Sequence, residues 1–318
     1  MKLIILVGVP GSGKSSYAKE IAKKERATIV SSDGIREELF GDESIQGKPY
    51  IVFKRLYEKV DELIAQDISV IIDATNIKRD KRMAVLEKYK QAYKECYYFD
   101  TTLEMCLERD NARKRTVGER VIDRFYKSLE VPLIGEGFDK INIIHSKSEY
   151  PINKEDFIEL VSKCPEYEVL YETLKDVNVF SNVYRLNQEN PYHKYLLCEH
   201  IYNSYAYINE FYNEEDKLLL QIVALLHDVG KPMCKKFKET KGYCTYYGHD
   251  LTSAQIACHF LKELDFDDEF IMKVISIIEM HMFIVFGGPE AAPKIYHLIG
   301  EDLLSRLYVF KDADNFAK

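Results

Sequence analysis

No two of the seven cysteines (96, 106, 164, 198, 234, 244 and 258) stand in CxxC spacing. That scatter argues against a disulfide framework and against a cysteine zinc site, and it suits thiols used as small buried hydrophobes. The chain also lacks an apolar run of membrane length, an internal repeat and a low-complexity tract. It enters an apolar run at Leu3 without a basic leader, so the expectation is a soluble, cytoplasmic protein with no membrane partner. Positive charge is short as well: 44 Lys and Arg face 52 Asp and Glu, a net charge of -8. The molecule as a whole therefore does not attract nucleic acid, and any polyanion must be gripped locally. A length of 318 residues is too great for one comfortable core and suits two domains.

What is present begins with Gly8-Val9-Pro10-Gly11-Ser12-Gly13-Lys14-Ser15, a GxxxxGK[ST] pattern between the apolar run Leu3 to Val7 and a helical segment from Ser15 to Lys24. Glycines let successive backbone N–H groups face one anion, and the following helix adds the positive end of its dipole. Gly8, Pro10, Gly11, Ser12, Gly13, Lys14, Ser15 and Ser16 are thus expected to bind ATP or another nucleoside triphosphate. Lys14 would reach the β- and γ-phosphates, and Ser15 would ligate Mg²⁺.

Residues 1–150 alternate short β-branched runs (Leu3 to Val7, Thr28 to Ser31, Val70 to Asp73, Cys96 to Phe99, Ile141 to Ile144) with amphipathic stretches such as Val52 to Ala65 and Arg82 to Tyr93. That rhythm predicts an α/β domain with a parallel sheet, its ligands at the carboxyl ends of the strands. Asp33 follows the second strand, where it is either a helix N-cap or the carboxylate that relieves an acceptor hydroxyl of its proton. Arg36, one turn on, either holds an acceptor phosphate or pairs with Glu37 or Glu38. Asp73 ends the third strand as a candidate for the Mg²⁺ shell. The most basic stretch runs from Arg109 through Arg113 and Arg115 to Arg120 and Arg124, broken at Thr116-Val117-Gly118. It reads as two helices joined by a hinged lid, with Arg113 the first choice to close over transferring phosphates.

The strings SSDGIREEL, DATNIKRDKR and RDNARKR with IDRF resemble the P-loop kinase module of polynucleotide 5'-hydroxyl kinases over roughly residues 1 to 145. The resemblance implies Lys14 and Ser15 as phosphate and metal residues, Asp33 as general base, Arg36 as acceptor clamp and Arg113 as lid arginine. Ala74 stands between Asp73 and Thr75 where the phage kinase has none, which leaves Asp73 open between metal and acceptor.

The texture becomes polar between 145 and 165, and a second domain, 160–318, reads as nearly all helix: 166–175, 192–212, 215–227, 251–264, 267–282 and 302–316. Seven of the eight histidines lie after residue 190. His227-Asp228 closes a strongly apolar helix, with Gly230 read as its cap and Pro232 as its stop. His200, His249, His281 and Asp314 complete an order of H, HD, H, H, D that one isolated histidine would not suggest. The order resembles the HD phosphohydrolase superfamily. That likeness implies His200, His227, Asp228 and Asp314 as the core metal set, in preference to Asp312, with His249 and His281 as the extra pair for a second ion. Lys231 would touch substrate phosphate, whereas His193, His259 and His297 are assigned to structure. Mixed imidazole and carboxylate ligands suit one or two ions of Mn, Fe, Co, Ni or Zn.

Together the resemblances imply a bifunctional enzyme that phosphorylates a 5'-OH and removes a 2',3'-cyclic, 3'- or 2'-phosphate. RNA or DNA ends would be its substrate, and a separate nucleic-acid ligase would act in the same pathway. A nucleoside or nucleotide kinase fused to a nucleotidase, and a nucleotide-sensing binding module, remain the alternatives.

Overall fold

The computed structural model describes residues 1–45, 47–113 and 115–318. The chain divides into two compact units: Met1–Phe125 with Glu136–Ile144, and Tyr126–Gly135 with His145–Lys318.

The first unit is built on strands β1 (Lys2–Val7), β2 (Thr28–Ser31), β3 (Val70–Asp73), β4 (Tyr93–Asp100) and β5 (Lys140–His145), in the order β2-β3-β1-β4-β5. β1 pairs in parallel with β3 on one side and with β4 on the other, Ile4 lying opposite both Ile71 and Glu95. A central strand covered on both faces has no polar side to show, which is why Leu3 to Val7 read as an unbroken apolar run. Ile4, Leu6, Ile71, Tyr97 and Phe99 pack with Ala18 and Ile21 from the helix Lys14–Glu25. The helix Pro49–Ala65 buries Val52, Leu56, Val60 and Ile64, a single stripe at four-residue spacing. The helix expected over 82–93 instead spans Arg79–Lys88. Backbone pairing of Tyr93 with Lys2 claims the end of that stretch for β4, and Tyr89 is buried in the intervening turn with its hydroxyl on Asp61 at 2.8 Å.

The second unit is helical: Lys154–Lys163, Tyr167–Leu174, Asn178–Ser181, Leu197–Phe211, Lys217–Leu226, Lys231–Cys234, His249–Glu263, Asp268–Phe286 and Ala291–Phe316. Leu219 to Leu226 are buried on every side of their helix, as an all-round apolar helix at the centre of a bundle must be. Four expectations change. The polar stretch taken as a break contains a helix, capped by the Asn153 side chain on Asp156 N–H and anchored by buried Phe157 and Val161. The helix expected from residue 192 starts at Leu197, because the Asn190 side chain accepts from Tyr192 N–H at 2.9 Å and holds 190–193 as a turn. A two-stranded antiparallel hairpin, β6 (Lys236–Lys238) and β7 (Tyr243–Thr245), interrupts the helices. The last helix begins at Ala291 and breaks at Gly300, just before the predicted start. Among the described residues no helix is long and apolar enough to cross a membrane.

Candidate active sites

The phosphate loop of the first unit lies at the carboxyl end of β1, where the strand order turns back on itself. Gly11 has φ +85°, and a Cβ there would stand 2.4 Å from the carbonyl oxygen of Cys106. Both conditions demand glycine. Gly13, at φ 96°, begins the helix Lys14–Glu25, so the loop's N–H groups and the helix start converge. Lys14 is buried and donates to Val9 O at 2.7 Å and to Ser12 Oγ at 3.3 Å. Desolvation pushes its pKa down to about 8, against the attraction of Asp73 and Asp33, and Arg113 adds to the fall. Asp73 is buried at the end of β3 and bonded to the Ser15 hydroxyl; burial raises its pKa despite that bond and the charge of Lys14. Ser15 and Ser16 are open to solvent, while Ser12 is buried and Pro10 half-buried.

Asp33 is not the N-cap of its helix. Ser31 takes that place, accepting from Gly34 N–H at 2.9 Å, so the Asp33 carboxylate is released and 60% exposed. It accepts instead from Arg36 Nη1 at 2.9 Å, and the buried Arg36 Nε has no partner. Of the alternative partners for Arg36, Glu37 accepts from Glu43 N–H at 3.1 Å and Glu38 is bonded to Arg55 and Lys59. Arg113 follows the helix Leu103–Asn111, is exposed, and lies close enough for its charge to act on Lys14. Further on, the backbone at 117 and 118 is held by buried Asp110, whose carboxylate accepts from the N–H groups of Val117 and Gly118 at 2.9 Å. Arg109 was expected only as one of a row; its Nη1 reaches Ser12 O at 3.4 Å, on the loop itself. Asn76 was not anticipated at all, although its Nδ2 donates to Leu6 O at 2.8 Å and ties β1 to the turn after β3.

In the second unit, His227 closes the helix Lys217–Leu226. The turn after it runs close against the helix His249–Glu263: a Cβ on Gly230 would meet Ser253 N at 2.6 Å and His249 O at 2.7 Å. Close approach, not a left-handed cap, is what requires this glycine, and Pro232 opens the short helix Lys231–Cys234 where it was expected to forbid one. The turn delivers Asp228 to the centre of a nest. Its Oδ2 lies 3.2 Å from the Nε2 atoms of both His200 and His227, and its Oδ1 lies 3.2 Å from His249 Nε2 and 4.0 Å from His281 Nε2. Asp314 Oδ1 stands 3.2 Å from His200 Nε2 and 3.8 Å from His227 Nε2, whereas Asp312 is exposed.

Each of the four imidazoles turns its other nitrogen to a backbone carbonyl: Ala317 for His200 at 3.0 Å, Ala224 for His227 at 2.8 Å, Tyr246 for His249 at 2.7 Å and Ile278 for His281 at 2.6 Å. A carbonyl only accepts, so Nδ1 carries the hydrogen and, in each neutral ring, the Nε2 lone pair points inward. Where a ring is neutral, its Nε2 lone pair faces a carboxylate oxygen at hydrogen-bond distance, and the Nε2 atoms of His200 and His227 stand 3.2 Å apart. Asp228 Oδ1 and His249 Nε2 are accordingly buried without a hydrogen-bond partner. Donor atoms so arranged fit a cation, and two sets share Asp228: His200, His227 and Asp228, and Asp228, His249 and His281. Burial works against charge on Asp228, yet His227, Lys231 and His200 hold its pKa well below the carboxylate range. Asp314 is lowered in the same way by His200, His227 and Lys318. Burial likewise opposes a charge on His200, but Asp228 and Asp314 carry its pKa up, whereas burial takes His281 down to about 3.

The nest forms part of the wall of a cavity of about 1060 Å³ that also meets Lys231, His193, Tyr192, Tyr243, Tyr247 and Phe286. Lys231 is buried and bonded to Asp228 at 2.6 Å and to Gln188 at 2.9 Å. His193, assigned from sequence to structure, lines this cavity with its ring 5.5 Å from that of His200 and its Nδ1 buried without a partner.

Comparison with known proteins falls along the same division. Residues 3–132 match the family model described as AAA domain, and residues 195–318 match the HD domain. The chain is 26% identical over 179 residues to the L-seryl-tRNA(Sec) kinase of Methanococcus maripaludis, covering 52% of this chain and 65% of that protein. It is 33% identical over 103 residues to the CC-adding tRNA nucleotidyltransferase of Thermus thermophilus, covering 32% of this chain and 24% of that protein. A solved structure of the Pnkp1/Rnl/Hen1 RNA repair complex shows 28% identity over 39% of this chain and 42% of that one, with a TM-score of 0.36. The chain thus spans less than two thirds of each of these proteins. It joins an α/β kinase-like P-loop domain that matches the AAA-domain family to a helical HD domain.

Proposed function

We propose that the chain is a bifunctional RNA end-healing enzyme, with a polynucleotide 5'-hydroxyl kinase in residues 1–150 and a phosphohydrolase for 2',3'-cyclic, 3'- or 2'-phosphates in residues 160–318. The observation that carries this reading is the presence, in one chain, of a phosphate loop served by the Asp33–Arg36 pair and of a separate imidazole–carboxylate nest fitted to a cation. Two curated relatives both have tRNA in their names, which supports a nucleic-acid substrate.

In the kinase, the loop amides and Lys14 hold the β- and γ-phosphates of ATP, while Ser15 and Asp73 hold Mg²⁺. Asp33 takes the proton of the 5'-hydroxyl as its oxygen bonds to the γ-phosphorus and the bond to ADP breaks. Arg36, anchored by its pair with Asp33, grips the acceptor's phosphate, and Arg113 balances charge on the transferring group. In the phosphohydrolase, His200, His227, Asp228 and Asp314 would hold one transition-metal ion, and Asp228, His249 and His281 would serve a second. Such ions supply Lewis acidity and a water acidic enough to act at neutral pH. Lys231 meets the substrate's phosphate. The products, a 5'-phosphate and a free 3'-hydroxyl, are the ends that a separate ligase joins.

The test is an oligoribonucleotide with a 5'-OH and a 2',3'-cyclic phosphate, incubated with ATP, Mg²⁺ and Mn²⁺ or Ni²⁺, with the mass of each end recorded. Gain of a 5'-phosphate with loss of the 3'-side phosphate is expected. Unchanged ends, with free nucleosides phosphorylated instead, would replace this reading by that of a metabolic kinase.

A further inference from the structure

Tyr192 and Tyr247 are each 68% exposed and Phe286 is 77% exposed, yet all three line the cavity that the HD nest helps to wall. Large aromatic side chains contribute to folding by burial, and these leave most of their surface in solvent. Tyr243, on β7, joins them: its ring meets that of Tyr192 edge to face, with centroids 5.9 Å apart at 86°. The Lys241 ammonium lies 5.7 Å from the Tyr243 ring centre and 5.4 Å from that of Tyr247, and donates to the Tyr247 hydroxyl at 2.9 Å. A cation therefore sits at the hydroxyl edge of Tyr247 and close to the half-buried Tyr243 ring, beside the cavity.

The same segment fixes the nest. Tyr246 is buried, donates its hydroxyl to Gln188 O, and gives its own carbonyl to His249 Nδ1 at 2.7 Å. Tyr247 precedes His249 by two residues, so at most about 7 Å of backbone separates an open aromatic face from a metal-binding imidazole. Aromatic faces combined with a cation are how proteins hold unpaired bases without reading their sequence.

We infer that Tyr192, Tyr243 and Tyr247, with Lys241, form a base-stacking platform at the mouth of the HD cavity, so that the site selects phosphoesters of nucleosides over those of bare sugars. The inference rests on the phosphohydrolase reading and adds the class of group that sits beside the reacting phosphate. Lys241 would meet a flanking phosphate or the stacked base itself. Because every base has a π-face, the preference among the four bases is weak.

The test compares adenosine 2',3'-cyclic phosphate with methyl ribofuranoside 2',3'-cyclic phosphate in the full chain with Mn²⁺, and measures binding of adenosine 3'-phosphate and methyl ribofuranoside 3-phosphate by calorimetry. The base-bearing ester should be preferred in kcat/KM by about ten-fold or more, chiefly through KM, since one stacked base is worth roughly that factor. Tyr243→Ser and Tyr247→Ser should each cut that preference several-fold, and Tyr243→Phe should retain it. Simple collapse of the hairpin would lower both substrates together and leave their ratio unchanged. An equal ratio in the wild type and the serine variants overturns the platform and leaves the phosphohydrolase standing. If neither ester is hydrolysed with Mn²⁺, Ni²⁺ or Fe²⁺, the phosphohydrolase reading fails, and the binding ratio decides the platform alone: loss of adenosine selectivity in the serine variants sustains it, and equal binding ends it.

Discussion

The two sites are built from opposite materials. In the first unit the groups that would meet phosphate are mostly backbone N–H groups of consecutive residues, Gly8 to Ser15, held in place by two left-handed glycines and the start of one helix. In the second the groups that would hold a cation are side chains alone, brought from four helices and the turn after a fifth, spread between His200 and Asp314. A backbone site is compact in sequence but intolerant of any added Cβ. A side-chain site is scattered in sequence, and its precision depends on the carbonyls that orient each imidazole from behind.

Substitutions that strike one material should leave the other untouched. The largest effect is expected from Asp228→Ala, which removes the carboxylate shared by both ligand sets. Losing several kcal/mol of metal-assisted stabilisation corresponds to a fall in phosphohydrolase turnover on the order of 10³. Stabilisation of the second unit by Mn²⁺, read as a shift in thermal midpoint, should vanish with it, and ATP binding should persist. A Mn²⁺-induced shift that survived would break the comparison. Next comes Gly11→Ala, which places a Cβ against Cys106 O in a left-handed conformation. Strain of about 1–3 kcal/mol should appear as a lower unfolding midpoint of the first unit and weaker ATP binding by calorimetry, with phosphohydrolase rates kept. The smallest effect is expected from Arg109→Ala. Losing one charge-assisted bond of about 1 kcal/mol to Ser12 O should weaken ATP binding about five-fold; no change in affinity would mean that the loop keeps its shape without this contact.

The same contrast explains how much the sequence alone revealed. The phosphate loop and the five strands were legible because each is a run of neighbouring residues with one physical requirement: glycine where φ is positive, apolar side chains where the sheet is covered. The nest was legible only in part. The order of histidines and aspartates pointed to it, but no periodicity could show that Ala317, Ala224, Tyr246 and Ile278 would orient the rings. The place of His193 on the cavity wall was not foreseen because it depends on the Asn190 turn, a local hydrogen bond that halts a helix the surrounding pattern favours. The hairpin was missed because its strands are three residues each, too short for alternation to register. Arg109 was hidden within a charged row, where spacing alone does not say which guanidinium turns inward.

The central claim is that the two sites perform separate chemistry on the two ends of one strand. It is tested most directly by giving wild type, Asp33→Ala and Asp228→Ala the same 5'-OH, 2',3'-cyclic-phosphate oligoribonucleotide with ATP and both metals, and reading the mass of each end after equal times. The account predicts that Asp33→Ala still clears the 3' side but adds no 5'-phosphate, and that Asp228→Ala does the reverse. Loss of both reactions from either single substitution, in a variant whose unfolding profile matches wild type, would contradict it.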